Sequence, residues 1–361
     1  LPTKFTAIEM APDRNQIFRF VQKCLPDFEP AGSPEELIGG NINRVWRIPG
    51  DSDSVIVKYA PPYIAASPDV PMNSNRLSFE ARALGSFMQS GPLSGIDQTY
   101  VQPPELLGHD TDASLLLMED ITPSVPWFEA LRKGRAEIET ARDLGRFIGA
   151  LHRITYGQPA IAGQFHNMPV QETRYHVQYM SLAETLSKKD DPDFRSAAER
   201  CRQLGRLLMK QGRCLLMGDL WPPSLLWSRN KIRIIDWEFV HYGRPLQDLA
   251  HFCAHCMMHH AVASAGTRDL FTDIWGRTMN GYKRETSQLY QELINGDEIE
   301  WFSVHVGAEI LARTIGAFSQ GYLFEDPKQR MAREKISEEA VKLMAGNVVF
   351  NKHLFLRMLY K

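Results

Sequence analysis

Met217-Gly218-Asp219-Leu220-Trp221-Pro222-Pro223-Ser224, continued by Leu225-Leu226-Trp227 and by Ile232-Arg233-Ile234-Ile235-Asp236-Trp237-Glu238-Phe239, decides how this chain is read. Leu225 to Trp227 form an apolar strand, Ser228 to Lys231 a turn, and Ile232 to Ile235 the returning strand. Such a hairpin brings the loop holding Asp219 beside the strand end holding Asp236. An aspartate on one side and an Asp-x-Glu pair on the other suits phosphoryl transfer: one carboxylate takes a proton from the acceptor hydroxyl while others hold Mg²⁺ against nucleotide phosphates. Asp219 is the expected catalytic base, and Asp236 and Glu238 are the expected metal ligands. Because Trp237 separates them, both acids would share one face if this segment were a plain strand.

The other parts of a nucleotide site lie upstream. Glu36-Leu37-Ile38-Gly39-Gly40-Asn41-Ile42-Asn43-Arg44-Val45-Trp46-Arg47-Ile48 reads as strand, tight turn, strand. Gly39 and Gly40 let a backbone approach phosphates, and Asn41 and Asn43 add small polar groups. A glycine pair alone marks an ordinary hairpin, so this stretch draws its meaning from the next strand and helix of the chain. Ser54-Val55-Ile56-Val57-Lys58-Tyr59 is a β-branched strand with one lysine inside it, and a lysine in an apolar strand needs an anionic partner. Nucleotide phosphates would provide one. Glu80, on the helical stretch Arg76-Leu77-Ser78-Phe79-Glu80-Ala81-Arg82-Ala83-Leu84, is placed to pair with Lys58 and fix its direction.

These segments together resemble the aminoglycoside phosphotransferase and choline kinase-like superfamily, and within it most closely the 5-methylthioribose kinases. Lys58-Tyr59-Ala60-Pro61-Pro62-Tyr63-Ile64 resembles that group's Lys-x-Ala-x-Pro-Tyr segment, and Pro71-Met72 with Arg76 its approach to the glutamate-bearing helix. Met118-Glu119-Asp120 resembles the strand end where the two lobes join, which makes Met118 and Glu119 to Ile121 the expected hinge for adenine. Asp236-x-Glu238-Phe239 with Tyr242-Gly243 resembles the metal-binding acids. Ser224 stands where most of the superfamily has Asn, and the resemblance gives it a part at the metal or in the loop. Asp248 is expected to steady the catalytic loop. The similarity runs from about Ile38 to about Gly316 and implies an α+β, bilobal protein-kinase-like fold. Residues 1–119 would form a β-rich nucleotide-binding lobe with a leading helix, and 120–361 a helical catalytic and acceptor-binding lobe.

Two positions depart from the pattern. The superfamily reads His-Gly-Asp where this chain has Met217-Gly218-Asp219, although the related 4-hydroxytryptamine kinases also carry Met there and share Asp-Trp-Glu. Glu309-Ile310-Leu311-Ala312-Arg313-Thr314-Ile315-Gly316 resembles the segment whose paired arginines hold methylthioribose, but Ala312 replaces the first. Arg313 remains as an acceptor contact, with Trp221 as an aromatic wall near the loop. The expected acceptor is therefore a less polar or aromatic hydroxyl compound rather than the thiosugar.

Composition agrees with an ATP- and Mg²⁺-dependent small-molecule kinase. A chain of 361 residues, 43% hydrophobic, can bury a large core. Its formal net charge of −2 and lack of a basic stripe argue against nucleic acid as a partner. No run is long enough to span a bilayer, and Leu1 to Thr6 has no apolar signal core. Five cysteines without a pairing framework suit a reducing cytoplasm, and a homodimer is compatible with all of this. His251-Phe252-Cys253-Ala254-His255-Cys256-Met257-Met258-His259-His260 offers Cys-x-x-Cys and histidines, yet with no second cysteine pair it reads as helical core. Helices are also expected from Arg14 to Leu25, along Leu144, Phe147, Ile148 and Leu151, and along Cys201, Leu204 and Leu208. A catalytically silent nucleotide-binding scaffold is the alternative in a different class, motivated by Met217 and the Pro223-Ser224 change; the presence of Lys58, Asp219, Asp236 and Glu238 together argues against it. No Ala-Pro-Glu segment comes after Asp236, which disfavours a protein kinase.

Overall fold

In the computed structural model, which describes residues 11–38, 42–320 and 322–346, the chain divides into two units. Leu1–Gly95, Pro103–Thr122 and Trp237–Phe239 make up the first; Ile96–Gln102, Pro123–Asp236 and Val240–Lys361 make up the second.

The first unit is built on a five-stranded antiparallel sheet, ordered Glu35–Glu36, Arg44–Pro49, Ser54–Tyr59, Leu115–Glu119, Leu106–Asp110. The β-branched run Val55-Ile56-Val57 makes Ser54–Tyr59 the central strand, buried along nearly its whole length. Its alternation sorts the side chains. Val55, Val57 and Tyr59 join Trp46, Ile48, Leu115 and Leu117 in a core that Ile17, Phe20 and Val21 of the helix Arg14–Cys24 cover. Lys58 projects from the opposite face, flanked in register by Val45 and Leu116. The covering helix starts where Asp13 accepts from the Gln16 amide and Gln16 returns the bond, a capping box that stabilises by about 1 kcal/mol.

The helix Arg76–Phe87 packs on the turn Trp237–Phe239, with the Phe87 and Trp237 rings edge-on at 5.1 Å. This turn corrects the expectation of a plain strand. Asp236 has φ +65°, in the left-handed region, and Trp237–Phe239 winds into a single 3₁₀ turn. The alternation argument for Asp236 and Glu238 therefore fails: a residue with positive φ breaks the pleat on which that argument rested.

In the second unit the hairpin that follows Asp219 forms as expected but with a tighter turn. Leu225–Ser228 pairs with Lys231–Ile234, leaving Arg229 and Asn230 at φ 48° and 60° as a two-residue connection with both central residues left-handed. Val101–Gln102 and Val125–Pro126 extend this hairpin on its two sides into a four-stranded sheet. Cys214–Leu216, which leads into the Asp219 loop, pairs with His241–Gly243. Helices supply the rest. Leu144, Phe147, Ile148 and Leu151 are all buried on the helix Thr140–Thr155, which packs against Arg268–Thr286 so closely that a Cβ on Gly145 or Gly281 would collide with the facing helix backbone at Thr278 or Arg142. Among the described residues no helix is long and apolar enough to cross a membrane.

Candidate active site

Lys58 is 2% exposed, and its Nζ donates to Glu80 Oε1 at 2.8 Å and lies 3.6 Å from Glu238 Oε2. The pairing of Lys58 with Glu80 is the one expected from the sequence; the closeness of Glu238 is an addition. A chain of buried polar groups continues from it within the first unit. Asn43 Nδ2 donates to Glu238 Oε1 at 3.0 Å, and Arg76 Nε donates to Asn43 Oδ1 at 2.9 Å. Arg76 also donates to the carbonyls of Pro61, Asn73 and Ile42, binding the segments before and after the central strand to the helix Arg76–Phe87. Burial pushes the Arg76 guanidinium down to about 10, with Glu238 and Glu80 opposing that shift, so it stays charged near neutrality. Glu80 Oε1 in addition accepts from the Trp237 amide at 3.3 Å, which ties the acidic turn to the lysine's partner.

Asn43, expected from the sequence as a small polar group of the nucleotide turn, bonds Glu238 and Arg76. Gly39, Gly40 and Asn41 lie outside the described residues. At the expected hinge, Met118 and Ile121 are buried, and Glu119 Oε2 accepts from the Glu105 amide at 3.1 Å. Between them the Asp120 carboxylate accepts from Ser54 Oγ at 2.6 Å and Arg47 Nη2 at 3.1 Å, so this strand end is anchored to its neighbours.

In the second unit the loop carrying Asp219 is gripped from opposite sides. Gly218 takes φ +87°, a conformation suited to glycine. Asp248, fully buried at the start of the helix Leu246–Val262, accepts from the amides of Met217 at 2.9 Å and Gly218 at 2.8 Å, the steadying role expected of it. Arg174, at the end of the helix Met168–Arg174, donates to the Gly218 carbonyl and, at 3.1 Å, to Asp219 Oδ1. Ser224 is buried with its hydroxyl directed at loop carbonyls, Trp221 O at 2.8 Å and Asp219 O at 3.3 Å. Of the two parts anticipated for Ser224, this geometry is the loop part.

Behind Asp219 stands a polar cluster that the core reading of the histidine segment missed. Cys253 and Cys256 are indeed core, fully buried and with thiols pushed up by burial. His251 and His255, four apart on the same helix, instead face Glu309: their Nε2 atoms lie 3.3 and 3.2 Å from its two carboxylate oxygens. His251 Nδ1 is also 3.8 Å from Asp219 Oδ1. Gln178 donates to Glu309 at 2.6 Å and Arg313 Nε at 2.8 Å. Burial pulls His251 down to about 3 and His255 to about 4, so both stay neutral at pH 7. Burial works to raise the Glu309 carboxyl, but the Arg313 guanidinium and the bond from His255 help to hold it well below the usual range. The period-four spacing of His251, His255 and His259 was the available signal; nothing in the sequence pointed to Arg174.

Arg313 was expected to touch the acceptor. Its Nε pairs with Glu309, and its guanidinium lies 4.3 Å from the Trp221 ring centre, with Phe318 at 5.3 Å and Tyr322 at 5.7 Å. Its neighbour Ala312 is buried and offers no charge. Trp221 keeps part of its surface exposed.

The profile of the phosphotransferase enzyme family matches residues 34–283. A 4-hydroxytryptamine kinase from Psilocybe cyanescens is 23% identical over 323 residues, covering 81% of this chain and 88% of that protein. A methylthioribose kinase from Escherichia coli is 25% identical over 264 residues, covering 65% of this chain and 61% of that protein. Among solved structures, a choline kinase from Streptococcus pneumoniae is similar with a TM-score of 0.51 at 14% identity, covering 91% of this chain and 98% of that one, a likeness of fold.

Proposed function

The chain belongs to the phosphotransferase enzyme family, and from that premise we propose that it transfers the terminal phosphoryl group of ATP, with Mg²⁺, to a hydroxyl of a small aromatic or weakly polar compound. The observation that carries the acceptor class is the setting of Arg313: Glu309 answers its charge through Nε, Trp221 lies 4.3 Å from its guanidinium, and Ala312 beside it adds no second cation, so the group expected to meet the acceptor is a single arginine set against an aromatic ring.

The residues fit the implied donor. A buried ammonium held between two carboxylates suits the α and β phosphates, and Asp236 with Glu238 is a hard-oxygen pair of the kind Mg²⁺ takes alongside phosphate and water. When bound, the nucleotide supplies the phosphoryl group and the metal offsets its charge. Glu80 holds Lys58 in direction, and Asn43 holds Glu238. Asp219 accepts the proton of the acceptor hydroxyl as its oxygen attacks. Asp248 fixes the backbone before it, and Ser224 the backbone after.

Metal and acceptor are tested separately. ATP affinity is expected to depend strongly on Mg²⁺ in the parent enzyme and weakly in the Asp236→Ala, Glu238→Ala double variant; titration calorimetry giving equal metal dependence would remove both residues as ligands. For the acceptor, kcat/KM is to be compared for methylthioribose and a panel of aromatic alcohols that includes 4-hydroxytryptamine. Loss of one arginine fork costs about 1.5–3 kcal/mol, so methylthioribose should trail the best aromatic acceptor roughly ten- to a hundredfold. Efficient turnover of methylthioribose alone would sink this acceptor class.

A further inference from the structure

The Asp219 carboxylate needs a fixed direction to serve as a base, and the residue before Gly218 cannot supply it: Met217 is buried and its thioether is at most a weak acceptor. We propose that Arg174 is the positioning residue of the catalytic aspartate, an inference that rests on the reading of Asp219 as base.

The argument is geometric. One guanidinium, 6% exposed, reaches two groups belonging to consecutive residues, the Gly218 carbonyl and the Asp219 carboxylate. By bonding a backbone atom and the next side chain at once, a planar fork sets the carboxylate's rotation relative to its own main chain, which a single contact cannot do. Asp248 takes the N–H groups of the same loop, so the loop is held by an acceptor on one side and a donor on the other.

The segment bearing Arg174 is built for this. The α-helix Met168–Arg174 gives way at Tyr175–Met180 to a π-helical turn, a wider winding often found at functional sites. Across that change of winding, Arg174 reaches Asp219, Gln178 reaches Glu309, and Tyr179 Oη lies 3.2 Å from His305 Nε2. Two other ionisable groups near the aspartate are engaged differently. His251, from the helix Leu246–Val262, is neutral and 3.8 Å away, and Arg313, from the helix Gly296–Thr314, is paired with Glu309. Arg174, by contrast, bonds the carboxylate directly.

The test uses the full-length enzyme with whichever panel acceptor the parent phosphorylates fastest. Arg174→Ala is expected to lower kcat roughly ten- to a hundredfold, the size of a lost charge-assisted bond, with KM for ATP unchanged. Arg174→Lys should recover part of kcat, because it returns the charge without the fork. Millimolar guanidinium chloride should recover part of the alanine variant's kcat, where sodium chloride does not. Adding Arg174→Ala to Asp219→Asn should cost nothing further, since Arg174 acts through that carboxylate. A crystal structure of Arg174→Ala, which needs no acceptor, should show Asp219 in another rotamer. An unchanged kcat, an unmoved Asp219 rotamer, full additivity, or a loss that tracks unfolding and answers neither to lysine nor to guanidinium would each overturn the proposal. A fully active Asp219→Asn enzyme would fail the base assignment itself, whereas an inactive Asp219→Asn beside a fully active Arg174→Ala fails the positioning role alone.

Discussion

Asp219→Asn is expected to lower turnover by about 10²- to 10⁴-fold while ATP binding stays near that of the parent. The substitution keeps size and retains an oxygen for the Arg174 fork and the fold around Asp248, so the loop should hold its shape. What it removes is the proton-accepting charge. An effect confined to kcat marks a group that acts only as the transition state forms, and steady-state kinetics with the best acceptor of the panel read it directly. Turnover equal to the parent's would remove the mechanism.

The second large effect is on stability. Lys58→Met keeps most of the side-chain volume and deletes the ammonium between Glu80 and Glu238, whose side chains are 1% and 6% exposed. Breaking a buried ion pair by removing one partner costs about 3–5 kcal/mol, because the remaining carboxylates are left in a poor solvent for charge. Urea denaturation should show this as a lower midpoint. Lys58→Met with Glu80→Gln should regain part of the loss, since the amide is neutral and still offers a hydrogen-bonding group. A single variant within about 1 kcal/mol of the parent would show that the pair contributes little, as exposed pairs do.

How far the sequence could be read depended on the range of the interaction involved. Lys58 in a β-branched strand, Glu80 on a helix and the hairpin after Asp219 are signals carried by neighbouring residues, and the structure has each of them: the strand Ser54–Tyr59, the pair at 2.8 Å, and Leu225–Ser228 against Lys231–Ile234. Asp236 shows where local reasoning failed. Alternation assumes a pleated backbone, and a left-handed φ at one residue cancels it. The histidine segment shows a second kind of failure. Cysteines and histidines in one helix all count as core by periodicity, but the buried face met by His251 and His255 is polar because Glu309 lies there, 54 residues on from His255.

Sequence alone determined the chemistry on offer, since a lone lysine in an apolar strand and acids at the ends of a short hairpin restrict their own surroundings through backbone period and desolvation cost. Tertiary structure decided which of those groups are engaged and by what. Arg174 contacts Asp219 across 45 residues, Asn43 contacts Glu238 across 195, and the Arg313 guanidinium lies 4.3 Å from the Trp221 ring. Such contacts carry no periodic trace, because a buried charge selects its partner by proximity in the folded chain, where low dielectric makes each unanswered charge costly, and not by spacing along it.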